Sequence, residues 1–128
     1  MILGVDLGQK TTGLAISEGH FASPYQTIRH ESIKEAVFKI AQICDELGVE
    51  KLVIGFVEGK IKSYFQNFAK DLKKKTPHTK VILWDETLTT RQARESMIKI
   101  GIAKLKRRKK EHEAAAAIIL QSYINRND

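Results

Sequence analysis

Cysteine occurs once in this 128-residue chain, at Cys44, and proline only twice. One thiol excludes an internal disulfide and gives no zinc-site spacing. Cys44 lies among Ile40, Ala41, Ile43 and Leu47 at helical spacing, so it reads as a packing residue and not as a nucleophile. No apolar run is long enough to span a bilayer. Met1-Ile-Leu opens directly on a strand pattern, without the basic region, separate apolar segment and cleavage site of a signal peptide, and the expected compartment is the cytoplasm. No linker, repeat or low-complexity boundary interrupts the pattern. Residues 1–128 are therefore expected to form one domain, long enough to bury a core without disulfides or a structural metal. With 42% hydrophobic and 29% charged residues, the composition is that of a soluble globular protein and excludes a disordered or membrane chain.

Acids are scarce where bases are dense. The net charge is +7, from 22 Lys plus Arg against 15 Asp plus Glu. Lys104, Lys106, Arg107, Arg108, Lys109 and Lys110 supply six positive charges with no acid among them, leaving 7 − 6 = +1 for the remainder. Charges packed this densely repel one another, and a polyanion that sheds counterions relieves the repulsion while gaining affinity. Nucleic acid is the expected partner, with Lys10 as a further candidate contact.

Strand patterns cover 2–6, 12–17 and about 21–28, separated by Gly-containing or polar turns too short for a parallel crossover, so these three strands are antiparallel. Ser32-Ile-Lys-Glu35 is a capping box, and the apolar spacing that follows runs to Gly48. Residues 51–56 contain LVIGF, a short apolar run suited to a strand covered on both faces. Ile61, Tyr64, Phe65, Phe68, Ala69 and Leu72 mark a second helix whose aromatic stripe reads as core. A strand over 81–84, a third helix over 91–100 capped by Thr89 or Thr90, the basic loop, and a last helix from 111 to about 124 complete the order β-β-β-α-β-α-β-α-α. That order implies an α/β fold: a mixed five-stranded sheet, three antiparallel strands then parallel ones, with helices on its faces. Ligands in such sheets collect at the carboxyl ends of strands, near a change in strand order.

Three acidic positions fall at such places. Asp6 ends the first strand inside GVDLGQKTTGLAIS, where Gly4, Gly8 and Gly13 are expected to permit tight turns. Asp85-Glu86 ends another central strand. The last helix opens on Glu111-His112-Glu113, directly after the basic loop. Each has a bland reading, since Asp caps turns and Glu favours helix starts. Together at one sheet edge they would repel unless cations intervened, and hard oxygen ligands suit Mg²⁺ or Mn²⁺. Two such ions could activate a water and stabilise the leaving oxygen in phosphodiester hydrolysis.

GVDLGQKTTGLAIS, VIGF, WDETLTTRQA and AAAAIILQSY, in that order over nearly the whole chain, resemble the YqgF/RuvX family of the RNase H-like superfamily, which is similar to Holliday junction resolvases. The resemblance implies a metal-dependent nuclease that matures the 5′ end of the small-subunit ribosomal RNA precursor, or a junction-resolving DNA endonuclease. It implies Asp6 as the first catalytic acid and Asp85-Glu86 as the acidic pair. Three departures accompany it. Thr87 stands where the family usually has Arg, and the VIGFVEG loop is short and lacks a Pro. His112 occupies the position of the family's last catalytic Asp. Imidazole binds Mg²⁺ poorly and Mn²⁺ better. His112 is thus expected to serve as a ligand with Asp6 and Glu86, to position or deprotonate water, to yield its role to Glu113 or Glu111, or to mark a binding module without turnover. An actin-like or sugar-kinase phosphate loop at the GVDLG stretch ranks last, because the chain is too short for those two-domain folds.

Overall fold

A computed structural model describes residues 1–56, 62–85 and 111–127. Five strands form one sheet in the order β3-β2-β1-β4-β5: β1 (Ile2–Leu7), β2 (Thr11–Ser17), β3 (Ala22–Arg29), β4 (Lys51–Phe56) and β5 (Lys80–Asp85). β1 pairs antiparallel with β2 and parallel with β4, so the change in strand direction falls at β1 itself. The expected mixed sheet is present. The helix expected over 91–100 and the basic loop lie outside the described residues.

α1 (Ile33–Leu47) starts where the capping box places it. The Ser32 hydroxyl accepts from the Glu35 N–H at 3.1 Å, and Gly48 closes the helix in the left-handed region at φ 63°. One detail differs from the expected box: the Glu35 carboxylate accepts from the N–H of Glu31 instead of Ser32. α2 (Lys62–Lys75) buries Phe65, Phe68 and Leu72, so its aromatic stripe is core. Together α1 and α2 cover one face of the sheet, packing on Leu3, Val5, Leu14, Leu52 and Ile54. Cys44 sits in this layer, and burial pushes its thiol up to about 12, so no reactive thiolate forms near neutral pH.

α3 (Glu111–Asn127) covers the other face, three residues longer than its apolar pattern indicates. Ala114, Ala116, Ala117, Ile119, Leu120, Tyr123 and Ile124 pack there with Ala15, Ala22 and Val53. The helix backbone and Leu120 meet glycines on the sheet. A Cβ on Gly4 would lie 2.8 Å from the Leu120 Cβ, and one on Gly13 would overlap the His112 carbonyl. Gly4 and Gly13 are therefore required for close approach of α3, not for tight turns as the sequence suggested. Gly8 does serve a turn, because a Cβ there would strike the Thr11 carbonyl across the hairpin. None of the three has a positive φ.

Candidate nucleic-acid active site

Asp6 is the sixth residue of the chain and the penultimate residue of β1, directly opposite Gly13 on β2. Partners across an antiparallel pair project from the same face. Gly13 meets the backbone of His112 and Glu113 on that face. The half-buried Asp6 side chain thus emerges beside the first turn of α3, where unpaired N–H groups and the helix dipole favour negative charge.

α3 is held in this position along its length. Gln121 accepts from the Ala22 N–H at 2.9 Å and donates to the His20 carbonyl at 3.2 Å, clamping the β2–β3 turn. Across the sheet, the Trp84 indole donates to the Ser122 hydroxyl at 3.3 Å and stacks edge-on against Tyr123 with centroids 5.4 Å apart. These contacts reach from the β3 side to β5, so the start of the helix cannot slide along the sheet independently of them.

His112 is exposed at the start of α3, and its Nε2 lies 3.2 Å from the Thr11 hydroxyl. Thr11 shares a face of β2 with Gly13, two residues on. Nε2 is thus engaged by Thr11, and Nδ1 is the other ring nitrogen that could act as a donor atom. Glu113 is half-buried on the same helical turn. Lys10, in the hairpin between β1 and β2, donates to the Glu31 carbonyl at 3.1 Å and lies 3.5 Å from its carboxylate. Both side chains are largely exposed, so this pair holds Lys10 only weakly.

Asp85 ends β5 at the same end of the sheet but does not join Asp6. It pairs with Phe56 of β4, placing it two strand spacings, roughly 10 Å, from β1. Strand alternation also sets the two apart: Trp84 faces α3, so Asp85 follows Leu83 onto the α1–α2 side. The expected convergence of three acids is thus not formed by the described residues, among which no three His, Cys, Asp or Glu side chains are grouped to hold a metal ion. The physical reason is parity, since Asp85, one residue on from Trp84, cannot share its α3 face. Glu86 and the cations Lys104, Lys106, Arg107, Arg108, Lys109 and Lys110 lie outside the described residues, as does the expected VEG loop. As donors, the Asp6 carboxylate suits a hard divalent cation, and an imidazole nitrogen of His112 suits Mn²⁺ better than Mg²⁺.

One pair close to the site escaped the sequence reading. Thr12 and His30, both buried, meet through Oγ1 and Nε2 at 2.8 Å. Burial holds the His30 imidazole below its ordinary range, opposed by the Ser32 backbone and by Glu35. The pair joins the hairpin after β1 to the start of α1. Its only trace in the sequence is a Thr at a position whose neighbours along the strand, Leu14 and Ile16, are apolar.

The profile of a family described as RuvX, Holliday junction resolvase, matches residues 1–126. The chain belongs to the RuvX family. A relative from Clostridium tetani, provisionally named pre-16S rRNA nuclease, is 35% identical over 131 residues, covering 97% of this chain and 95% of the relative. Among solved structures, the fold is similar to that of Thermus thermophilus RuvC in complex with a Holliday junction substrate. Identity there is 15% and the TM-score 0.62, over 98% of this chain and 94% of that one. It is also similar to the fowlpox virus Holliday junction resolvase, at 18% identity and a TM-score of 0.63 over 99% of both chains. These likenesses establish an RNase H-like fold of the RuvC type for the chain.

Proposed function

We propose that this RuvX-family chain is a metal-dependent nuclease that hydrolyses phosphodiester bonds in structured RNA, maturing the 5′ end of the pre-16S ribosomal RNA in the cytoplasm. The observation that carries the reading is the position of Asp6. It is the penultimate residue of the strand where the sheet changes direction and emerges beside the start of α3, in a chain similar over nearly its whole length to a relative named for this reaction. Asp6, Glu86 and His112 would hold Mg²⁺ or Mn²⁺. Strand alternation turns Asp85 away from the α3 face, which speaks against Asp85 in that role. When bound, divalent cations would activate the attacking water and stabilise the leaving oxygen. The chain's own part is to hold the scissile phosphate against Asp6 and to place Glu113 and His112 within reach of the water. Lys10, Lys104, Lys106, Arg107, Arg108, Lys109 and Lys110 would grip the backbone on either side.

The basic loop tests this reading through charge. Changing Arg107, Arg108, Lys109 and Lys110 to Gln should weaken binding to all sequences alike and flatten the slope of log affinity against log salt by about 3, if each cation neutralises one phosphate. Titrations of precursor RNA at several salt concentrations measure it. An unchanged slope would move the binding surface elsewhere. A four-way DNA junction assayed beside the RNA decides between RNA maturation and the resolvase activity for which the family is described.

A second reading, a binding module without turnover, is favoured by the His112–Thr11 contact, which occupies one ring nitrogen where the family carries a carboxylate. His112→Asp separates the two. It places a carboxylate beside Asp6 at a helix start that tolerates negative charge, and Mg²⁺-supported cleavage should rise on the order of tenfold, about 1.4 kcal/mol of barrier. His112→Ala should lower cleavage and leave RNA affinity unchanged. Indifference to both changes, and to Glu111→Gln and Glu113→Gln, would reduce the triplet to a helix cap.

A further inference from the structure

The charge of this chain is not confined to the basic loop. α2 carries Lys62, Lys70, Lys73, Lys74 and Lys75 against Asp71 alone, a net +4 on one helix, and all five lysines are exposed. The helix lies on the face of the sheet opposite α3. Between it and α1 runs an open groove of about 470 Å³ lined by Lys34, Glu35, Phe38, Asp71, Lys74 and Lys75, among others. Its lining is mainly apolar, and Phe38 is 61% exposed on a helix whose other apolar positions are buried or half-buried. Of the two acids, Glu35 is already engaged by Lys39 at 3.5 Å and by the Glu31 N–H. Asp71 stands three and four residues before Lys74 and Lys75, which oppose its charge along the helix. What is left over is an aromatic face flanked by cations, the combination that receives a stacked base and its phosphates.

We propose that the α1–α2 groove binds a single-stranded segment of RNA, with a base stacked on Phe38 and the neighbouring phosphates held by Lys34, Lys74 and Lys75. The proposal rests on the nuclease reading for its choice of RNA and extends it. On this face unpaired nucleotides would be held away from the Asp6 edge. A protein partner would use the same groove differently, through apolar contact without need of a planar ring.

The test is equilibrium binding of a short fluorescent oligouridylate to the whole chain, in EDTA so that no cleavage intervenes. Phe38→Ala should weaken binding about tenfold at every salt concentration, as loss of one stacked base does, and Phe38→Trp should restore it. Lys34→Gln, Lys74→Gln and Lys75→Gln together should lower affinity and flatten the salt slope by about 2, near 0.7 for each single-strand phosphate. These residues are exposed, and unchanged melting curves would show that the variants remain folded. Phe38→Leu binding as tightly as the wild type would overturn stacking in favour of an apolar dock for a protein. No binding by the wild type, or an unchanged affinity and slope in the lysine variant, would also overturn the proposal. Cleavage of precursor RNA by the wild type is scored separately. If it cleaves while the groove variants bind normally, only the groove proposal fails. If it cleaves nothing while the groove variants lose affinity, only the nuclease reading fails.

Discussion

Asp6→Asn is expected to abolish cleavage, by about 1000-fold or more, while the protein stays folded and still binds RNA. The substitution keeps the volume of the side chain and removes its charge. Asp6 is half-buried at the end of a central strand, so the amide finds the same space. Among what it loses is the favourable field of the α3 N-terminus, about 0.3–1 kcal/mol, against a total stability of about 5–15 kcal/mol for such a domain. The catalytic loss is larger because a neutral amide holds a divalent cation poorly, and a 1000-fold fall corresponds to about 4 kcal/mol of barrier. Cleavage of precursor RNA with Mg²⁺ and with Mn²⁺, beside thermal melting and RNA binding, measures all three quantities. Full turnover by a folded Asn variant would end the metal-nuclease reading, whatever the other residues do.

The elements read most clearly from sequence are those whose signals are local. Ser32 and Glu35 set the start of α1 and Gly48 its end, within the reach of one helical turn. LVIGF had to be covered on both faces, and Leu52 and Ile54 do pack under α1 and α2 while Val53 packs under α3. What the sequence concealed depends on contacts across long separations. Gly4 and Gly13 looked like turn residues because glycine is the usual answer to a sharp bend. Their actual neighbours, Leu120 and His112, are about a hundred residues away. The same holds for Gln121, whose partners are His20 and Ala22. Asp85 could be placed at the correct sheet end from its position after an apolar strand. Its face depended on the register that puts Trp84 against Ser122. The lysines of α2 stand in the sequence between the apolar positions of its stripe. Only packing shows that Lys74 and Lys75 border a groove with an exposed ring.

Gly13→Ala tests whether the approach of α3 is what builds the site, and it should be the most destabilising single methyl that the chain can receive near Asp6. In an ordinary strand the change would help, since alanine restricts the unfolded chain and stabilises by about 0.4–1 kcal/mol. Here the new Cβ would overlap the His112 carbonyl and lie 2.9 Å from the Glu113 nitrogen. Both are backbone atoms of a helix clamped further along by Gln121 and Ser122, so no side-chain rotation relieves the contact. Overpacking of this kind costs about 1–3 kcal/mol where side chains can yield, and rigid backbone places the cost at the upper end, about 3 kcal/mol. The steric loss therefore exceeds the entropic gain, and the melting temperature should fall by roughly 10 °C for a chain of this size. The first turn of α3 must also lift from β2, parting His112 from Thr11 and withdrawing Glu113 from the neighbourhood of Asp6. Cleavage should then drop even well below the melting temperature, with RNA binding through the basic loop retained. Gly48→Ala serves as the comparison, because its left-handed backbone costs about 1–2 kcal/mol for a residue with a Cβ with nothing within 4 Å of the added methyl. Equal stability losses in the two variants, or a Gly13→Ala protein that melts and cleaves as the wild type does, would show that α3 adjusts freely and that its close seat on Gly13 does not set the position of His112 and Glu113.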